Sequence, residues 1–183
     1  MKRYCVAAMA VAAVQAVGAA PALPVLKQGM WEVVVQNQKE PAPPPVKVLQ
    51  CVNKATSSLM LMSPFSGQEG CRAPKVKKSG AGYSVQTNCA VHDVKVVTHA
   101  QLNGDFSSRY TGSFETRYDS TEIAQPPAQR FEGRWLGACK PGMKPADLEL
   151  PNRITINLKE KAEASTKNDH DHDHDHSAPG HKH

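Results

Sequence analysis

From Asp169 the chain alternates carboxylate and imidazole: Asp169-His170-Asp171-His172-Asp173-His174-Asp175-His176, followed by Ser-Ala-Pro-Gly and His181-Lys182-His183. Six of the eight histidines lie in this stretch. Imidazole nitrogen is the commonest protein ligand for zinc, copper and nickel, and aspartate oxygen can complete the shell. In an extended chain alternate side chains share a side, so His170, His172, His174 and His176 line one edge about 6.5 Å apart and the aspartates line the other. Modest bending brings two or three imidazoles onto one ion. The predicted metal ligands are therefore His170, His172, His174, His176, His181 and His183 with Asp169, Asp171, Asp173 and Asp175. Zinc is the first expectation; copper(II) and nickel(II) also suit these donors, and the affinity order favours copper.

Neighbouring carboxylates favour imidazolium, so metal must displace protons, and binding is expected to weaken sharply below about pH 6. The tail is expected to be disordered without metal, giving a site of moderate affinity and several stoichiometries rather than a tightly held cofactor. The blander alternatives are a solvated low-complexity tail or an appended purification sequence. Alternation with Asp and the trailing Ser-Ala-Pro-Gly-His-Lys-His differ from a standard tag.

Whether such a tail meets metal depends on its compartment. Met1-Lys2-Arg3 is a short basic start, and Val6 to Ala20 is apolar apart from Gln15. This is the pattern of a signal peptide, residues 1–19, with 22 as the alternative end. The apolar run is shorter than the roughly 20 residues a membrane helix needs, so no membrane span is expected. Cys5 leaves with the leader, and the product is expected to be periplasmic or secreted.

Four cysteines then remain: Cys51, Cys71, Cys89 and Cys139. Four allow three pairings. The turn signal Ser79-Gly80-Ala81-Gly82 lies midway between Cys71 and Cys89, so a hairpin turning near position 80 sets those two opposite each other. Cys51 with Cys139 follows. That bond closes a loop of nearly ninety residues and contributes about 4 to 5 kcal/mol on the chain-entropy model. The alternative is a zinc site of four thiolates. It is disfavoured by the lack of a Cys-x-x-Cys pair and by the oxidising compartment.

The chain is +5 overall, and the tail holds four aspartates against Lys182, so the body is basic. Lys47, Lys54, Lys75, Lys77, Lys78 and Lys95 are scattered rather than gathered with aromatic residues. A solvated basic surface is the expectation, and nucleic acid is not an expected partner.

The body reads as mainly β. Trp31 to Val35 and Val46 to Cys51 are short β-branched runs flanking the proline cluster Pro41 to Pro45. Asn53 to Met62 suits a single short helix, beginning at a candidate Asn cap and ending before Pro64. Met60 and Met62 suit core gaps better than copper(I) ligation. Val85 to Cys89, Val91 to Ala100, Tyr110 to Tyr118 and Arg130 to Leu136 suggest a meander, and Ile154 to Leu158 alternates as a further strand. The expected fold is a single antiparallel β-sandwich or half-open barrel with one short helix, two disulfides and the His/Asp-rich tail. The β-rich domain is assigned to 27–158, and 159–183 to a charged spacer and the tail.

Catalysis finds little support in the composition of this body. Its histidines are His92, beside Asp93, and His99; the run containing them sets 92 and 99 on opposite faces. Ser84 and Ser113 lack a nucleophile-elbow sequence. Gly80-Ala81-Gly82 reads as a hairpin turn, not a phosphate loop. No catalytic or cofactor-binding residue is assigned, and the protein is expected not to be an enzyme.

The order Lys27-Gln28-Gly29-Met30-Trp31-Glu32-Val33, Cys51-Val52, Cys71, Asn88-Cys89 and Gly133-Arg134-Trp135-Leu136-Gly137-Ala138-Cys139-Lys140-Pro141 resembles the bacterial exported family of unknown function numbered 3617, over about 27–141. The resemblance implies a small exported β-rich domain and supplies no mechanism; the His/Asp tail lies outside it. The functional expectation is an exported, non-enzymatic protein whose tail captures or buffers divalent metal or passes it to a transporter. The alternative is an envelope module whose β domain binds a protein, lipid or glycan, the tail being incidental.

Overall fold

The computed structural model describes residues 22–65, 71–91 and 94–168. The expected leader, the metal ligands Asp169 to His183, and the pair His92 and Asp93 lie outside the described residues. Strands β1 (Gly29–Asn37) and β2 (Val46–Val52) flank the proline cluster and pair antiparallel, from Gly29 with Val52 to Val35 with Val46. Their β-branched content suits a pleated, half-buried surface. Helix α1 (Ser57–Met62) follows, then β3 (Lys75–Ser79), β4 (Gly82–Val91), β5 (Val94–Gly104), β6 (Arg109–Tyr118) and β7 (Gln129–Gly137). Two short strands, β8 (Asp147–Glu149) and β9 (Thr155–Asn157), and helix α2 (Leu158–Asn168) complete the described elements.

All nine strands form one open sheet in the order β3-β4-β5-β6-β7-β1-β2-β8-β9, with every neighbouring pair antiparallel. Alternation sends Trp31 and Val33, Val85, Ala100 and Leu102, Tyr110 and Phe114, and Phe131 to the same face, where they are buried. Met60 and Leu61 of α1 join them, and the Phe65 ring sits 5.7 Å from Phe114 and 5.9 Å from Phe131. One cluster contains Val85 of β4 and Leu148 of β8, each next to an opposite edge of the sheet. The sheet therefore curls around α1, the half-open form of the expected architecture.

Two rings are accommodated by glycines on neighbouring strands. Tyr110 pairs across the ladder with Gly133, and Gly112 with Phe131. A Cβ at 133 would run into the Tyr110 ring, and one at 112 into the Phe131 ring. The large aromatic core thus depends on the absence of side chains opposite it.

The structure departs from expectation in the helices. Asn53 does not begin α1; its side-chain oxygen accepts from the Thr56 amide at 2.9 Å while Thr56 Oγ1 accepts from the Asn53 amide at 3.1 Å. This reciprocal pair closes a turn, and α1 starts only at Ser57. The charged spacer after Leu158 is itself helical, as α2. Asn157 caps it, its side-chain oxygen accepting from the Lys159 and Glu160 amides at 3.2 and 3.1 Å. Lys159 and Glu163, one turn apart, add an ion pair at 3.8 Å. Lacking an apolar stripe, this helix was invisible to periodicity. The three-residue β8 was too short to show an alternation. Among the described residues, no helix is long and apolar enough to cross a membrane.

Candidate functional site

The cysteines pair as expected, Cys51 with Cys139 and Cys71 with Cys89, at Cα separations of 5.4 and 3.9 Å. Both bonds use all four thiols, so the four-thiolate zinc alternative is overturned. Strands β3 and β4 meet through a two-residue turn at Gly80-Ala81, with Gly80 at φ +57°, a conformation glycine adopts without penalty. The ladder runs from Ser79–Gly82 to Lys75–Gln86, and an isolated bridge at Cys71–Cys89 stands one residue out of that register. The hairpin thus sets Cys71 opposite Cys89 as expected, with its centre between Gly80 and Ala81, half a residue beyond position 80.

The chain motifs that opened and closed the resemblance meet at one place. Glycine, tryptophan and glutamate on β1 lie against Arg134 and Trp135 on β7, with a bulge between Met30 and Trp31. Trp31 Nε1 donates to the Lys27 carbonyl at 2.8 Å, and Trp135 Nε1 to the Gln28 carbonyl at 3.0 Å. The Lys27 ammonium lies 3.5 Å from the centroid of the Trp135 ring, a cation–π contact. Gly29, at φ +132°, lets this segment press against β7, because a Cβ there would strike the Gly137 carbonyl oxygen and Trp135 Nε1. Two tryptophans thus hold the chain entering β1.

On the outer side of the sheet, Glu32 bridges Lys47 at 3.0 Å on β2 and Arg134 at 3.3 Å on β7. The hydrogen bond from Lys47 and the nearby Arg134 guanidinium hold its carboxyl below the usual carboxylate range. Cys51 of β2 is tied to Cys139 just beyond β7. These contacts fasten the segment entering β1 to β7 and tie β1 to β2.

Of the body residues considered for catalysis, Ser84, His99 and Ser113 lie on this outer face. His99 on β5 stands between Gln86 and Glu115, and Gln101, two residues on, stands between Ser84 and Ser113. The sheet therefore places serine, histidine and carboxylate near one another. Glu115 is nevertheless held by Arg117 at 2.8 Å, and among the described residues no hydrogen bond links His99 to either serine or to Glu115. A nucleophile needs its base within about 2.6 to 3.2 Å. Nearby, two open depressions lie along Tyr118 to Glu122 and beside Gln125 and Pro126. Gln125 ties that loop together, accepting from the Tyr118 amide and donating to its carbonyl.

A second ordered loop joins β5 to β6. The Asp105 carboxylate accepts from the amides of Ser107, Ser108 and Arg109 and from the hydroxyls of both serines. Those bonds, the Ser108 hydroxyl foremost, hold its carboxyl far below the ordinary value. Phe106, at φ +57°, turns its ring inward between Tyr83 and Tyr110, and its carbonyl accepts from the Lys27 amide. This loop secures the other side of the N-terminal segment.

The tail ligands fall outside the described residues, and Asn168, the last residue of α2, directly precedes Asp169. Among the described residues no group of three or more His, Cys, Asp or Glu side chains converges to hold an ion. A model of a family described as protein of unknown function (DUF3617) matches residues 26–139, and the chain belongs to that family. The match contains both clasp motifs and all four paired cysteines, and ends at Cys139; β8, β9, α2 and the tail follow it. Comparisons with curated proteins and with solved structures give no match.

Proposed function

We propose that the protein is an exported, non-enzymatic metal-binding protein. Its disulfide-stabilised β domain carries a tail that takes up divalent transition metal, zinc first, for capture or buffering. The fourfold Asp-His alternation directly after α2 carries this reading. Two disulfides support an oxidising compartment, where such bonds persist. The basic start and apolar run of residues 1–20 support export. In the periplasm or outside the cell, zinc, copper and nickel are the ions this donor set would meet.

Isothermal titration with Zn²⁺, Cu²⁺ and Ni²⁺ at pH 7.5 tests the proposal on the full chain and on a form ending at Asn168. Heat of binding is expected from the full chain alone, and it should collapse at pH 5.5 as the imidazoles take up protons. Equal binding by both forms would move the site into the β domain. Silence from both would remove metal from the function.

A further inference from the structure

The two edges of the sheet are unlike. At one edge β9 has three residues and runs directly into α2. At the other, β3 offers five residues whose outward backbone groups have no strand partner among the described residues. Such an edge is a template for a further strand. Lysines are a common defence, because a row of ammonium groups repels another edge like itself; the same row accepts a strand carrying carboxylates at matching spacing.

The register of β3 defines that spacing. Val76 pairs with core-facing Val85, so Val76 and Lys78 belong to the inner side. Lys75 and Lys77, opposite Gln86 and Ser84, belong to the outer side. They are exposed and, among the described residues, join no ion pair. The His/Asp segment carries a carboxylate at every second position from Asp169 to Asp175, about 6.5 Å apart if extended, the same repeat as two lysines on one face of a strand.

We propose that Asp169 to His176 adds to the β3 edge of its own chain as a further strand, with aspartates beside Lys75 and Lys77. Main-chain hydrogen bonds supply the affinity and the alternating charge the register, as in other cases of strand addition. Val85 and Leu148, each one strand in from an opposite edge, share one core cluster, and the segment begins directly after α2, which follows the edge strand β9. The inference concerns metal-free protein and goes beyond the metal reading.

Amide hydrogen exchange on the full chain, in EDTA and at low salt, tests it. The 75–79 segment should exchange about fivefold more slowly than in an Asp171→Asn/Asp173→Asn/Asp175→Asn variant, the factor that two exposed ion pairs supply. Lys75→Glu/Lys77→Glu should lose the same protection while exchange in β5 and β6 is unchanged. Protection should be independent of protein concentration. Equal rates in all three proteins would overturn the proposal. So would protection that fades on dilution, which would make a second copy the occupant. Because the Asn variant retains all six tail histidines and metal is absent, failure here leaves zinc titration of the same proteins to judge the metal reading separately.

Discussion

Replacing Tyr110 with Phe should make the protein more stable, the reverse of the usual outcome for a buried tyrosine. The Tyr110 ring is fully buried between Trp31 and Phe106, at centroid distances of 5.3 and 6.0 Å, with Phe131 edge-on at 6.2 Å. Its hydroxyl reaches no hydrogen-bond partner. An unpaired buried polar group costs about 1–3 kcal/mol. Deleting one oxygen leaves a small void whose penalty, at about 24 cal/mol per Å³, is about 0.4 kcal/mol. The net gain for Tyr110→Phe is therefore about 1 kcal/mol, or a rise in Tm of about 2–4 °C for a domain of this size.

Alkaline pH sharpens the test. Burial pushes the Tyr110 phenol well above its ordinary value. A group whose folded pKa is raised contributes stability below its unfolded pKa and loses it as pH rises through the interval to the folded value. The unfolded phenol ionises near pH 10, after which wild type loses about 1.4 kcal/mol per pH unit that the Phe variant keeps. The gap of about 1 kcal/mol at pH 8 should reach about 2.5 kcal/mol at pH 11. Urea unfolding with the disulfides intact, followed by circular dichroism at both pH values, measures it. A Phe variant less stable than wild type at pH 8, or a gap that does not widen, would show that the hydroxyl has a partner and refute the reasoning.

Other perturbations address the remaining parts of the scaffold. Gly133→Ala should lower stability by about 1–3 kcal/mol, because its methyl overpacks the Tyr110 ring; urea midpoints in wild-type and Tyr110→Leu backgrounds should show the smaller loss in the latter. Removing Cys51–Cys139, separated by 88 residues, should destabilise more than removing Cys71–Cys89, separated by 18. The chain-entropy model gives about 4–5 against about 3 kcal/mol, and paired Cys→Ala variants compared in urea would reject it by showing the opposite order. Asp105→Asn should weaken the protein at pH 7 by loosening the β5–β6 loop. Because the folded carboxyl titrates below its unfolded value of about 3.9, the wild-type advantage is present above that pH and should shrink as acid is added below it. Thermal unfolding from pH 7 to 2 reads this directly, and a constant difference across that range would contradict it.

Much of the body was legible because its signals are local. β-Branched runs between glycines and prolines marked β1, β2 and the meander, and the symmetry of Cys71 and Cys89 about Gly80 identified a disulfide before any contact was known. Helix α2 (Leu158–Asn168) was missed because its stability comes from capping by Asn157 and from good helix formers, not from an apolar stripe. The turn at Asn53 was mistaken for a helix start because the same Asn side chain can cap either.

The amino-acid sequence by itself determined the mainly antiparallel β class, the cysteine pairing and the concentration of histidine and aspartate after Asn168. Each rests on residue type and spacing along the chain. Only the tertiary structure decided that β1 lies between β2 and β7, that Tyr110 needs Gly133 beneath it, and that Trp31 and Trp135 clasp the segment entering β1. Those facts join different strands, in the case of β1 with β7 about a hundred residues apart, and register and packing, rather than local periodicity, set which groups meet. The lysine-bearing strand β3 likewise became an edge only through the order of the whole sheet.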